Sequence, residues 1–153
     1  MSVVTATLDG GFPSFKLLSF KLSSSRRDVP NMTNPWPTEL RLRKDRKALT
    51  VAFDSGETFD LAAEYLRVRS PSAEVQGHSP SERRTVGGKE AVQILEVHPV
   101  GNYAVRLTFD DMHSTGIFSW EYLFELGQNR EKYWRDYLDE LAEKGLSRAS
   151  AAH

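Results

Sequence analysis

Three histidines and two aspartates are the side chains of this sequence whose types could bind a metal ion or exchange protons. They are His78, His98, His113, Asp110 and Asp111. The spacing from Asp111 to His113 matches one end of a two-histidine-one-carboxylate iron site, which also needs a distant third ligand. We favour a structural interpretation, in which the aspartates end a strand, accept backbone hydrogen bonds in a turn and hold His113 against the sheet. The alternative is a small metal-binding protein or metal-dependent enzyme that uses Asp110, Asp111 and His113, with His78 or His98 as a further ligand.

Two serines flank Pro71 and carry hydroxyl groups that could act as nucleophiles, Ser70 and Ser72. No Gly-x-Ser-x-Gly elbow surrounds either of them, and that elbow is what presents a serine nucleophile in α/β-hydrolases. We therefore expect the hydroxyls to fix the end of a preceding helix and the course of the following loop, with Glu74 bonding to nearby amides. No residue is predicted to be catalytic.

Two basic sets could meet an acidic partner or RNA. They are Arg41, Arg43, Lys44, Arg46 and Lys47, and Arg67, Arg69, Arg83, Arg84 and Lys89. The whole chain has a formal net charge of -1, so it has no general attraction for a phosphate backbone. Charges on strand faces usually serve solubility and protect sheet edges. We expect no nucleic-acid partner and keep an RNA-binding module as a further alternative.

The composition fits one domain of a cytoplasmic protein. With 153 residues the chain is long enough for one core and short for two. It contains no cysteine, which excludes disulfides and thiolate metal sites within the chain and suits a reducing compartment. No segment approaches the ~18 consecutive apolar residues of a membrane-spanning helix. We expect a cytoplasmic location and no membrane partner.

Alternation of apolar and polar residues predicts two pairs of short antiparallel strands. A helical turn over Ala62 to Val68 and a loop over residues 70–90, rich in proline and glycine, separate the two pairs. Long loops in compact domains are often functional, so this loop is the first place to seek a function. The predicted strand pairs are Leu40–Leu42 with Leu49–Phe53, and Ala91–Val97 with Tyr103–Phe109.

The last third of the chain is predicted to form two helices, which makes the fold class α+β, with short antiparallel strands packed against a C-terminal helical pair. Ser119 is placed to cap the first helix, and Gly127 to end it in a left-handed conformation. Gly145 ends the second helix. Apolar residues of the second helix recur at spacings of three and four and should share one buried face. These residues are Tyr133, Trp134, Tyr137, Leu138 and Leu141.

Three segments are expected along the chain: a weakly ordered leader over 1–34, one domain over 35–148 and a disordered tail over 149–153. Residues from Ser147 onward are too small and polar for us to expect packing. The leader segment Phe12 to Leu22 lacks the continuous apolar region of a targeting signal. A natural start at Met32 would explain why the preceding residues differ from the rest.

Several segments together resemble the gamma-butyrobetaine hydroxylase N-terminal-like domain, over about Trp36 to Arg148. They are PTELRLRKD, LAAEYLRVRSPSAEVQGH, GKEAVQI, VGNYAVRLTFDDMHSTGIFSWEYLFELG and YWRDYLDEL. In eukaryotic dioxygenases with this domain, a Cys-Pro-Cys-x-x-Cys loop and a later histidine bind a structural zinc. The matching positions here are Ser70, Ser72, Val75 and His113. Since two hydroxyls and an isopropyl group cannot replace thiolates, we expect no zinc of that type and no cofactor.

A further departure is Met112, where relatives usually have glycine, so a left-handed turn at this position is in doubt. The oxygenase chemistry of the large relatives lies in a separate domain, for which this chain is too short. The resemblance therefore implies a non-catalytic binding or adaptor module with a protein partner, of the iron-sulfur or oxygenase-related class. The predicted binding surface consists of Arg69, Ser70, Ser72, Glu74, His78, Asp110, Asp111 and His113.

Overall fold

The computed structural model describes residues 4–8, 18–22, 35–72, 75 and 83–150, and its fold is α+β as predicted. In the described part of the chain, eight strands form two antiparallel sheets, and three segments are helices. Among these residues, no helix has the length and apolar character needed to cross a membrane.

The larger sheet has five strands in sequence order. They are β1 (Val4–Leu8), β2 (Leu18–Leu22), β3 (Pro37–Leu42), β4 (Ala48–Phe53) and β5 (Thr58–Ala62). The predicted first hairpin is confirmed as β3 and β4, with Leu40 opposite Val51. No strand is predicted ahead of Pro37, yet β1 pairs with β2 and β2 with β3. Both strands have five residues. The segment around them contains many serines and glycines, so its short alternation of apolar and polar residues does not predict strands.

The smaller sheet contains β6 (Ile94–Val100), β7 (Ala104–Phe109) and β8 (Ile117–Ser119) in that order. Its β6–β7 pair confirms the second predicted hairpin. The tip of the β3–β4 hairpin joins the two sheets, because the Ile94 amide donates to the Arg46 carbonyl (2.8 Å) and Arg46 Nη1 donates to the Leu95 carbonyl (3.1 Å). Arg46 reaches this position with a φ of 61°.

The helices are α1 (Ala63–Val68), α2 (Trp120–Gln128) and α3 (Arg130–Glu143). Ser119 caps α2 as predicted, since its hydroxyl accepts from the Tyr122 amide at 3.2 Å. Apolar residues from both sheets, α1 and α2 form the main core. The predicted helical turn at α1 is fully buried, so it lies at the centre of the domain.

The predicted left-handed cap at Gly127 is wrong, because Gly127 lies inside α2. The reason for glycine at this position is close packing: a Cβ there would overlap the ring of Phe59. Gly145 does end α3 as predicted, with a φ of 63°. The prediction that Leu138 shares the buried face is also wrong, since 38% of it is exposed.

The described part of the C-terminal tail packs, contrary to the expectation for residues beyond Ser147. The Gly88 amide donates to the Ser147 carbonyl (2.8 Å), and the Glu90 amide donates to the Arg148 carbonyl (3.0 Å). Arg148 also forms two hydrogen bonds, of 3.0 and 2.8 Å, with the buried carboxylate of Glu64. Backbone hydrogen bonding, which needs no large side chain, therefore holds this tail against the loop that follows residue 83.

Candidate functional site

The turn between β7 and β8 carries the most exposed large apolar side chain among the described residues, that of Met112. It is 84% exposed. The Met112 amide donates to the Phe109 carbonyl (3.1 Å), and the Phe109 amide donates to the His113 carbonyl (2.9 Å), so both sides of the turn are closed. Met112 has a φ of 71°. The doubt about a left-handed turn is thus resolved: methionine adopts the conformation that glycine would adopt more cheaply.

Asp111 fixes the turn through both of its carboxylate oxygens. Oδ1 accepts from the His113 amide at 3.2 Å. Oδ2 accepts from Arg67 Nε at 2.8 Å and from Lys89 Nζ at 2.6 Å. Burial alone would raise the pKa of Asp111, but the hydrogen bond from Lys89 and the charge of Arg67 outweigh it and hold that pKa below its usual value. The carboxylate is therefore ionised at neutral pH.

Asp110 joins the turn to Gln93, the residue directly before β6. Its Oδ1 accepts from the Gln93 amide at 3.1 Å, and its own amide donates to the Gln93 carbonyl at 2.9 Å. The two aspartates end β7 and accept backbone hydrogen bonds. These are backbone hydrogen bonds of the kind that the structural interpretation of the two aspartates expects.

His113 lies beneath the turn against two serine hydroxyls. Its Nε2 is 2.9 Å from Ser70 Oγ and 3.4 Å from Ser72 Oγ, and all three residues are buried. The hydroxyls therefore contact the imidazole instead of capping α1, whose end is closed by the Arg69 backbone amide. Val75 is also buried, and its amide donates to the Ser72 carbonyl at 3.0 Å.

Gly116 leaves room for the Ser70 hydroxyl because it has no side chain. A Cβ at position 116 would overlap Ser70 Oγ. The β7–β8 connection therefore needs glycine where it passes over the hydroxyl, for reasons of space and not of backbone conformation.

Arg69 directly precedes Ser70 in the chain and is also buried, with 8% of it exposed. Its Nη2 donates to the Tyr133 carbonyl (2.8 Å), its guanidinium lies 4.4 Å from the centroid of the Tyr133 ring, and its carbonyl accepts from the Tyr122 hydroxyl (2.6 Å). Burial, and then the charge of Arg83, lowers the pKa of Arg69. Arg69 thus anchors the loop to α2 and α3.

A comparison with known protein families identifies the family of this chain. Residues 40–124 match the family described as gamma-butyrobetaine hydroxylase-like, N-terminal. The chain belongs to this family. A comparison with curated proteins gave no match.

Solved structures of other proteins share the fold. One solution NMR structure has 43% sequence identity and a TM-score of 0.68 and covers 78% of this chain and 94% of its own. A second has 42% identity and a TM-score of 0.67, with 82% and 93% covered. A crystal structure of a protein of unknown function in the DUF971 family, from Acidithiobacillus ferrooxidans, has 43% identity and a TM-score of 0.50, with 60% and 91% covered.

The residues at the positions where the resemblance implies zinc ligands do not fit zinc in this chain. Ser70, Ser72 and His113 come together as the resemblance implies, but neutral hydroxyls are poor zinc ligands and the Val75 side chain has no donor atom. Within the described ranges, no three histidine or carboxylate side chains gather as metal ligands.

His98 is not part of this cluster. His98 lies on β6, is exposed, and its Nε2 is 2.8 Å from Glu96 Oε2. Glu74 and His78 lie outside the described residues. Ser70 is fully buried, so its hydroxyl cannot meet a substrate in this conformation even though a histidine nitrogen is adjacent.

Several of the basic residues considered for RNA binding already have partners. Arg41 pairs with Glu39 (2.8 Å), and Arg43 pairs with Asp45 (2.6 Å). Arg67 and Lys89, which the predicted site omits, contact Asp111 instead. Their position in the chain gives no local signal of this, since they are 44 and 22 residues from Asp111.

Proposed function

We propose that this domain is a non-catalytic module that binds a protein partner through the turn surface, defined here as Asp110, Met112 and Lys89. The observation that carries the proposal is Met112, an apolar side chain exposed on a turn whose backbone is fixed on both sides. Methionine adapts its shape to an apolar partner and is common at binding surfaces.

The conformation of the turn supports this proposal. A non-glycine residue with positive φ costs about 1–2 kcal/mol and persists only where its surroundings determine it. Here Asp111 and His113 supply those surroundings through their contacts with Arg67, Lys89 and Ser70. Glycine would remove the strain but would also remove the side chain, so the methionine is retained at a cost.

The buried residues of the predicted surface take a supporting role in this proposal. Ser70, Ser72, His113 and Arg69 are each at most 8% exposed, so a partner would contact the turn that they hold and not these side chains themselves. We further propose that Ser70, Ser72 and His113 are the remnant of a zinc site, as the resemblance implies.

An iron-sulfur or oxygenase-related protein remains the proposed partner class, because the family's larger members contain such chemistry. A cytoplasmic location is proposed because the chain lacks cysteine.

The experiment is quantitative affinity capture from a lysate of the organism that makes the protein, with Met112→Asp compared against Met112→Leu. Loss of one buried methionine contact corresponds to about tenfold weaker binding. We expect Met112→Asp to lose a specific set of captured proteins that Met112→Leu retains. Iron analysis of those proteins tests the partner class. Equal capture by wild type and both variants would contradict the proposed surface.

A further inference from the structure

The C-terminal tail lies against the loop that precedes β6, and the backbone of that loop holds it. The Gly88 amide donates to the Ser147 carbonyl (2.8 Å), and the Glu90 amide donates to the Arg148 carbonyl (3.0 Å). A Cβ on Gly87 would lie 2.9 Å from the Ser147 carbonyl oxygen, which is closer than a side chain can come. The absence of a side chain at Gly87 therefore lets the backbone of the tail approach the loop.

The arginine of the tail reaches the buried carboxylate of Glu64, a residue that is 6% exposed. Arg148 Nε donates to Glu64 Oε1 (3.0 Å), and Arg148 Nη2 donates to Glu64 Oε2 (2.8 Å). The guanidinium also lies over the Trp134 ring, 5.1 Å from its centroid. A lysine ammonium cannot form such a pair of parallel hydrogen bonds with a carboxylate. These contacts therefore select an arginine side chain.

Two serines of the tail complete the pattern around the arginine. Ser150 Oγ donates to the Gly88 carbonyl (3.0 Å), and Ser147 Oγ accepts from the Ala149 amide (3.1 Å). The first serine thus fixes the course of the tail backbone, and the second binds the loop. Ala149 is exposed, so its side chain adds no requirement, and the recognised pattern is Ser-Arg-x-Ser.

The tail contributes little buried surface of its own, since Ser147, Ala149 and Ser150 are exposed. Apolar burial therefore does not hold the tail in place. Glu64, in contrast, needs a cation from some source, because an unpaired buried carboxylate is costly. Within the described ranges, the cation that pairs with it is Arg148.

We infer that Glu64, Trp134, Gly88 and Glu90 form a binding site for a Ser-Arg-x-Ser segment of a partner protein, here named the arginine site. In this conformation the chain's own tail occupies the site, and the partner segment displaces it. The contacts of the tail define the chemistry of the partner, because a carboxylate, an aromatic ring and backbone groups bind any segment with the same pattern equally well. The inference goes beyond the proposed function, whose turn surface is tested through Met112.

The test uses isotope-labelled wild-type protein and an unlabelled peptide with the sequence of residues 146–150 and blocked ends. A tail in the same chain has an effective concentration in the millimolar range, so we use up to about 10 mM peptide. We expect the peptide to move the NMR amide signals of Ala149 and Ser150 toward unstructured positions. The amide signals of Gly88 and Glu90 should keep their hydrogen-bonded positions, because carbonyls of the peptide replace those of the tail.

Two control peptides test the selection of arginine. One contains citrulline, which is neutral and has the shape of arginine, and the other contains lysine, which keeps the charge. Both should displace the tail at least about tenfold less well, as expected for the loss of paired charge-assisted hydrogen bonds. Arg148→Lys weakens the competing tail and keeps a cation for Glu64, so the arginine peptide should displace that tail at about tenfold lower concentration.

The outcomes decide the inference on the full chain. Equal displacement by the arginine peptide and either control peptide would overturn the selection of arginine. A tail that stays bound in both wild type and Arg148→Lys, at every concentration of the arginine peptide, would overturn the site itself. Neither result bears on the turn surface, because that test compares the capture of proteins by Met112 variants.

Discussion

Ser70 Oγ lies 2.9 Å from His113 Nε2, and this contact joins the segment that follows α1 to the turn that follows β7. The two residues are 43 positions apart in the chain, so the contact connects α1 to the smaller sheet. The exposed turn thus depends on a buried contact that a partner would not touch.

The space around Ser70 predicts the effect of Gly116→Ala. The added methyl group overlaps Ser70 Oγ, so we expect a loss of about 1–3 kcal/mol in the free energy of unfolding, measured by urea denaturation. Ser70→Ala alone should cost about 1 kcal/mol through the lost hydrogen bond. In the double variant the overlap with Oγ is gone, so its cost should be clearly less than the sum of the two. Additive costs would show that the overlap does not control packing here.

The strain at Met112 predicts that Met112→Gly stabilises the domain. The substitution removes the positive-φ cost, while the greater freedom of glycine in the unfolded chain offsets part of the gain. We expect a net gain of about 0.5–1 kcal/mol in urea denaturation. Met112→Ala is the matched control, because it removes the side chain and keeps the strain, and it should give no gain. A destabilised Met112→Gly would mean that the side chain contributes to folding.

The parts of the fold that follow from the sequence are local. The hairpins, the Ser119 cap and the hydrogen bond from the His113 amide to Asp111 each depend on residues close together in the chain, where strand period and turn chemistry act. The Arg67, Lys89 and Asp111 cluster depends on segments far apart in the chain, and no periodicity encodes it. Gly127 shows the same limit: its position near the end of a helix suggests a cap, but its cause is the distant ring of Phe59.

The lowered pKa of Asp111 predicts how the domain responds to acid. A carboxyl group whose pKa is lower in the folded state stabilises the fold above its unfolded pKa, which is about 3.9, and this stabilisation is lost as the pH falls through the folded value. Asp111→Asn leaves Arg67 without its carboxylate, so we expect it to cost about 3 kcal/mol at pH 7.

The loss of unfolding free energy caused by Asp111→Asn should become smaller in acid. The difference in unfolding free energy between wild type and Asp111→Asn should begin to shrink below about pH 4, where the carboxyl group of the unfolded chain binds a proton, and should disappear once the pH falls below the lower pKa of the folded state. Asp110→Asn alters the same turn but keeps the contacts with Arg67 and Lys89, and so controls for general effects on the turn. A difference between wild type and Asp111→Asn that is constant from pH 7 to 3 would contradict the assignment.

The cluster beneath the turn also predicts that zinc binding can be restored. Ser70→Cys and Ser72→Cys place two thiols beside His113, and Val75→Cys adds a third at a buried position whose backbone amide donates to the Ser72 carbonyl at 3.0 Å. Three thiolates and one imidazole form a standard tetrahedral zinc set. We expect one zinc per chain by mass spectrometry, and a thermal midpoint that falls when a chelator is added.

Two controls define that result. Wild type should bind no zinc under the same conditions, because its hydroxyls are poor ligands. Adding His113→Ala to the triple-cysteine variant removes the fourth ligand and should weaken zinc binding markedly. Zinc held equally well without the imidazole would show that the thiols bind it elsewhere, and a triple variant without zinc would show that these four positions do not form a ligand set. Zinc binding that requires both the three thiols and the imidazole would support the proposal that this member lacks only the donor atoms of a zinc site and keeps their arrangement.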